Sequence, residues 1–168
     1  FTDDTVLTVA VASAIREGSE FSTAIRRWGR RYPNAGYGGR FRDWLFDEAA
    51  EPYNSFGNGS AMRVAAVGWA FDDLDVVLRK AAETAEVTHN HPEGIKGAQA
   101  VAAAILVARK GQTKEQIAAL MSERFGYDIT IDLRVLRRQA KFDVTCQGTV
   151  PAAAVAFLRS TDFEDAVR

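Results

Sequence analysis

Three stretches of the sequence gather side chains able to do chemistry. At the amino end, Thr2-Asp3-Asp4-Thr5 sets two carboxylates and hydroxyls in succession, a hard-oxygen set of the kind that Mg²⁺ or Mn²⁺ takes. Acids and threonine are also common at helix starts, so a metal half-site and a capped helix both fit. Hard cations want about six oxygens, more than Thr2, Asp3 and Asp4 supply. The second stretch is Asn58-Gly59-Ser60-Ala61-Met62-Arg63. Glycine permits close backbone approach to a ligand, and a helix opening at Ser60 presents free N–H groups to an anion. Arg63 adds a planar donor in that first turn. A tight turn with an N-cap fits the same pattern. The third stretch, Thr88-His89-Asn90-His91, holds both histidines of the chain. His91 stands where an N-cap would, and His89 is either a loop residue or a functional one.

These stretches must be held by helices. The apolar residues of Val6–Arg16 leave almost no polar face, which predicts a helix buried all round and ended by Gly18. Ser22 is expected to cap a second helix to about Arg31, with Ala24, Ile25 and Trp28 inward. Residues 32–40 and 52–59 read as loops, with a short helical turn over Phe41–Phe46. A helix opens at Ser60 and carries Met62, Val64, Ala65, Val67 and Trp69. Asp72 or Asp73 caps the next, from Leu74 to about Val87. Pro92 and Glu93 start a helix to Arg109, closed at Gly111. Thr113 and Gln116 form a capping box for a helix ending near Phe125-Gly126. Asp132 caps a short helix to Arg138. Pro151 begins a helix to Leu158, and Ser160 or Thr161 with Glu164 begins the last. No segment alternates with period two for long, so the chain is expected to be all-α and one domain.

Other residues have plainer roles. Gly94, Gly97 and Ala98 put small side chains on one helical face, suited to close packing of a helix or a ligand. Trp28, Trp44 and Trp69 are expected in the core. Tyr37, Phe56 and Tyr127 lie in or beside loops, where they either stack on a base or decorate the surface. Cys146 reads as a small buried hydrophobe.

Composition narrows the class. A 168-residue chain that is 47% hydrophobic can bury a core. A net charge of −1 with dispersed basic residues gives no nucleic-acid groove or membrane-surface patch. No apolar run is long enough to span a bilayer. One cysteine excludes an intrachain disulfide and a thiolate zinc site, which points to a reducing, cytoplasmic setting. The chain starts at Phe1 rather than methionine and is expected to be a fragment, a processed chain or a trimmed one.

Taken together, the stretches resemble the ADP-ribosylglycohydrolase family. The matching pieces are Phe1-Thr2-Asp3-Asp4-Thr5, Phe56 through Arg63, and Thr88-His89-Asn90-His91-Pro92 through Gly97-Ala98. A weaker one is Gln147-Gly148-Thr149-Val150-Pro151-Ala152-Ala153. Their order and separation fit as well, over essentially the whole chain. The resemblance implies an all-α, single-domain, multi-helix orthogonal bundle with a two-metal Mg²⁺ or Mn²⁺ centre at one end of a cleft. It assigns Thr2, Asp3 and Asp4 to the first metal-ligand motif, with Asp3 and Asp4 also catalytic. It assigns Asn58, Gly59 and Ser60, with Met62 and Arg63, to the loop that contacts ADP-ribose, and His89 to a position near the nucleotide. The implied reaction is hydrolysis of the bond from ribose C1″ to a protein side chain or small acceptor.

Two departures accompany the resemblance. The family's downstream Gly-Asp-x-Asp-Thr/Ser motif is not reproduced by Asp162 and Asp165, and an acidic helix with a glycine-rich segment is missing ahead of Thr2. The chain is therefore expected to be truncated at both ends and to carry about half of the metal ligands. A second reading is a non-catalytic ADP-ribose-binding or crystallin-like structural relative. Exposed apolar faces of the first helix would favour a homo-oligomer.

Overall fold

A computed structural model describes residues 1–139 and 141–168. In chain order its helices are α1 (Asp3–Glu17), α2 (Phe21–Arg31), α3 (Gly39–Phe46), α4 (Gly59–Met62), α5 (Ala65–Ala70) and α6 (Leu74–Glu86). There follow α7 (Pro92–Arg109), α8 (Lys114–Ala119) with a π-helical turn over Leu120–Arg124, α9 (Leu133–Gln139), α10 (Cys146–Arg159) and α11 (Phe163–Val167). Among the described residues there is no strand, only an isolated antiparallel bridge between Gly57 and Thr145. The chain is all-α, as its patterning predicts. Among the same residues, no helix is long and apolar enough to cross a membrane.

Helix α7 is the element that α4, α5, α6 and α10 pack against. His91 starts it by accepting the Glu93 N–H on Nδ1 at 3.1 Å. Pro92 follows at the first helical position, where its missing N–H costs no hydrogen bond. Ala98, Ala100, Ala102, Ala103 and Leu106 are buried along it. The small residues let neighbouring helices in. A β-carbon on Gly97 would lie 2.5 Å from Cys146 Sγ of α10, and one on Gly68 of α5 would lie 2.6 Å from the Ala102 carbonyl oxygen. The small face at Gly94–Ala98 therefore serves packing between segments.

Three apolar clusters share this frame. One joins α7, α8 and α10 through Ala100, Ala103, Ile117, Met121 and Val150. Another joins α1, α5, α6 and α7 through Val11, Val67, Val77, Ala81 and Leu106. The third joins α1, α2 and α3 through Leu7, Ala10, Ile25, Trp44 and Leu45.

Several helix ends fall where local chemistry predicts them. Asp73 Oδ1 accepts from the Val76 N–H at 2.9 Å. Thr113 and Gln116 form a capping box. Asp132 accepts from the Arg134 N–H at 2.8 Å. Gly18 closes α1 at φ 65°, a conformation that an added Cβ would strain.

Others are moved by tertiary contacts. Helix α1 begins at Asp3, so Asp3 and Asp4 stand inside its first turn rather than ahead of it. The Asp3 N–H donates to the Ala35 carbonyl at 2.8 Å, which anchors this turn to the loop before α3. Nor is α1 buried all round: Val6, Leu7, Ala10, Val11 and Ala14 are covered, while Thr5, Val9, Ala12 and Arg16 face solvent. Glu20, not Ser22, occupies the N-cap position of α2. The helix expected from Ser60 breaks near Arg63 into α4 and α5. Thr145 caps α10 by accepting the Gly148 N–H at 3.1 Å, so that helix starts ahead of Pro151 and contains it. Asp162 caps α11 instead of Ser160 or Thr161. Trp44 is buried and Trp28 half-buried, but Trp69 is 63% exposed.

Candidate active site

The loop that precedes α4 is tied down from behind. The Asn58 N–H donates to the Val144 carbonyl at 2.7 Å, and the Cys146 N–H donates to the Phe56 carbonyl at 2.9 Å. Cys146 Sγ adds a contact to the Gly57 carbonyl at 3.1 Å. Asn90 Oδ1 accepts from the Asn54 N–H at 2.7 Å, which ties the same loop to the start of α7. Ser60 turns inward and donates to the Gly94 carbonyl at 2.8 Å. Its hydroxyl is spent on the fold and fully buried, so only its main chain remains for a ligand. The N–H groups of Gly59 and Ser60 have no acceptor among the described residues.

This loop forms one wall of a cavity of about 540 Å³. Asp3, Asn58, Gly59, Met62, Arg63 and His89 all line it, although they come from three separate stretches of sequence. Thr2, Asp4 and Ser60 do not line it. Thr2 and Asp4 lie beside it at the exposed start of α1, where Thr2 Oγ1 donates to Asp4 Oδ2 at 2.9 Å. A larger groove of about 800 Å³ runs under α9, α10 and α11. It is lined by Gly148, Thr149 and Ala152 of the weaker fourth stretch and by none of the residues of the first three, so size alone does not locate the chemistry.

Charge is divided across the smaller cavity. Burial, and then the neighbouring Asp4 charge, raise the pKa of Asp3 above the ordinary carboxylate value. A carboxylate so placed gains from a nearby cation. Thr2, Asp3 and Asp4 thus have the oxygen chemistry that a hard divalent ion takes, in numbers too few to complete its shell. Among the described residues no group of three or more His, Cys, Asp or Glu side chains is gathered to hold a metal. The residues present fit a half-site.

Arg63 and Arg40 line the same cavity. Arg63 is fully buried. Its Nη2 donates to the Thr84 carbonyl at 2.6 Å and to Thr88 Oγ1 at 3.0 Å. Its Nε and Nη1 have no partner among the described residues. Burial pushes its pKa down to about 10, which leaves it charged at neutral pH. The expected planar donor is therefore held in the cavity wall rather than extended from the first turn of α4. His89 is 5% exposed. Burial first, and the Arg63 charge second, push its pKa down to about 3, so the imidazole is neutral.

Several lining residues are not singled out by motif reading. Gly36, Gly38, Gly39 and Arg40 come from the loop before α3 and from its first turn, and Tyr53 comes from the following loop. Arg40 Nη2 donates to the Tyr53 carbonyl at 2.7 Å, and its guanidinium lies 4.8 Å from the Tyr53 ring centroid. The glycine density of residues 36–39 was the available signal, but it marks a turn as readily as a ligand wall. Phe142 is 96% exposed and stands at the rim. The three aromatics considered for stacking divide. Tyr127 is buried, Tyr37 packs against Phe41, and Phe56 meets His91 edge-on.

Comparison with known proteins bears on the family and the fold. The family model described as ADP-ribosylglycohydrolase matches residues 1–168. ADP-ribosylhydrolase ARH3 of Gallus gallus is 31% identical over 135 residues, covering 69% of this chain and 37% of that protein. Its Homo sapiens counterpart is 29% identical over 136 residues, with the same coverages. A solved structure titled ADP-ribosylglycohydrolase-related protein complex superimposes with a TM-score of 0.72 at 26% identity, over 99% of this chain and 62% of that one. The chain thus matches little more than a third of the length of the curated relatives. It belongs to the ADP-ribosylglycohydrolase family of hydrolases.

Proposed function

We propose that the protein hydrolyses the bond between C1″ of ADP-ribose and a protein side chain or small acceptor, with Mg²⁺ or Mn²⁺ at Thr2, Asp3 and Asp4. The observation that carries this reading is the meeting of Asp3, the Asn58-Gly59 loop and His89 in one cavity. At about 540 Å³ it lies within the roughly 300–1,000 Å³ span of small-molecule sites.

Cleaving a glycosidic bond builds positive charge on the ribose. In this reading Asp3 steadies that charge or takes a proton. When bound, the divalent ion orients the ribose hydroxyls and lowers the pKa of the attacking water. The N–H group of Gly59, together with the Arg63 and Arg40 charges, favours the diphosphate and so fixes the geometry of the sugar. Met62 and Tyr53 supply apolar wall. Cytoplasmic residence belongs to the same reading, supported by a lone, buried cysteine.

The direct test mixes the longest natural form with Mg²⁺ or Mn²⁺ and with ADP-ribosylated arginine, serine or protein. Release of ADP-ribose is expected, and its absence from every mixture would end the reading. A second reading is a non-catalytic ADP-ribose binder or crystallin-like structural relative. It is favoured by the shortage of metal ligands among the described residues. Calorimetry that shows ADP-ribose binding without turnover would select the binder, and no binding at all would select the structural role. Self-association through the outward face of α1, which carries Val9, is a further part of the proposal. A monomer by light scattering at high concentration would exclude it.

A further inference from the structure

A line of polar contacts runs from the core to the cavity wall. Arg63 Nη2 lies 3.0 Å from Thr88 Oγ1, and Thr88 Oγ1 lies 2.7 Å from His89 Nδ1. Arg63 and Thr88 are fully buried and His89 nearly so. Burying a cation with two unpaired nitrogens is costly, and such a cost calls for a compensating role.

The direction of each bond follows from donor chemistry. A guanidinium has donors and no acceptor. Thr88 Oγ1 must therefore accept from Arg63. Its own hydrogen is then left to give, and the acceptor in reach among the described residues is His89 Nδ1. Tyr53 also comes within hydrogen-bonding reach of the Thr88 hydroxyl. A hydroxyl has two acceptor lone pairs, so Thr88 Oγ1 can accept from Tyr53 as well as from Arg63 and still give its hydrogen to His89 Nδ1. In a neutral imidazole, an accepting Nδ1 leaves the hydrogen on Nε2.

We infer that Arg63 and Thr88 are positioning residues for His89, locking it as the Nε2–H tautomer so that it presents a donor to the cavity beside Gly59. A β-carbon built on Gly59 would lie 3.0 Å from Nε2, which places this nitrogen against the loop that bounds the site. Nε2 has no acceptor among the described residues, so its hydrogen is left for a ligand oxygen. The ligand's identity rests on the proposed function, and the oxygen would be one of the ADP-ribose diphosphate or ribose. The tautomer does not rest on it. The depressed pKa of His89 keeps the ring neutral through physiological pH, so the choice of tautomer persists there.

The test is two-bond ¹H–¹⁵N correlation of the imidazoles in the longest natural form at neutral pH, with His89→Gln to assign the signal. The expected spectrum shows a protonated Nε2 and a bare Nδ1 before any ligand is added. Thr88→Val keeps the side-chain shape and removes the hydroxyl. It is expected to mix the tautomers and weaken ADP-ribose binding about tenfold, as the loss of one hydrogen bond to a charged group would. Thr88→Ser should retain both properties. A wild-type spectrum with hydrogen on Nδ1 overturns the inference, as does a folded Thr88→Val protein with an unchanged spectrum. If that variant does not fold, the wild-type spectrum decides alone. The expected spectrum without any ADP-ribose binding supports the relay and overturns the substrate reading instead.

Discussion

Gly59 and His89 sit at contact distance across the cavity: a β-carbon on Gly59 would come within 3.0 Å of Nε2 and 3.2 Å of Cε1. The ring has little room to retreat, because Thr88 holds its other nitrogen and Tyr53 packs 6.1 Å away, centroid to centroid. Gly59→Ala should therefore displace His89 or the loop. The expected cost is about 1–3 kcal/mol of stability, as for other overpacked sites. Urea unfolding measures it. Calorimetry on the same variant should show weaker ADP-ribose binding, and an unaltered affinity would detach this loop from the ligand.

His89 should also imprint a pH dependence on stability. Its folded pKa, about 3, lies below the ordinary value near 6.5. The unfolded chain therefore binds a proton first as pH falls. The stability is fully present above the unfolded pKa and is lost as pH falls from about 6.5 toward 3, at no more than about 1.4 kcal/mol per pH unit. The window from 6.5 to 5 is the cleanest, since carboxylates add their own titration below it. His89→Gln should flatten the curve in that window, as followed by denaturant midpoints at a series of pH values.

Asp3→Asn separates metal and catalytic roles from folding. The helix start it belongs to is anchored by its backbone N–H to Ala35, which the substitution keeps. The Asp3–Asp4 repulsion that helps raise its pKa is relieved. Thermal stability without metal should stay within about 0.5 kcal/mol of wild type, as for substitutions away from a packed core. The rise in melting temperature with Mg²⁺ or Mn²⁺ should vanish, and turnover should fall at least about a hundredfold if Asp3 acts in proton transfer. A variant with full activity and an intact metal response would remove Asp3 from the site.

Gly97 tests the packing behind the site. A β-carbon there would lie 2.5 Å from Cys146 Sγ and 2.8 Å from its Cβ. Gly97→Ala should destabilise by about 1–3 kcal/mol. Adding Cys146→Ala removes the nearer clash, so the pair should couple by at least about 0.5 kcal/mol in a double-mutant cycle. Because Cys146 also contacts the Gly57 carbonyl, the single variant should weaken ligand binding as well. Additive effects would show that α7 and α10 are not in contact here.

What the sequence determined by itself is what depends on near neighbours along the chain. The capping box of Thr113 and Gln116, the Asp73 cap and Pro92 at the head of α7 close hydrogen bonds within a few residues. The all-α class followed from apolar spacing, and the three stretches lining the cavity stood out by residue type. Tertiary structure decided what depends on distant partners. Ala35 sets how Asp3 is held, Gly94 turns Ser60 inward, and the Thr84 carbonyl draws Arg63 into the core. Thr145, bridged to Gly57, starts α10 before its proline. The physical reason is that a backbone cap is satisfied over one turn of chain, whereas a buried polar group takes whichever partner folding brings within 3 Å or so.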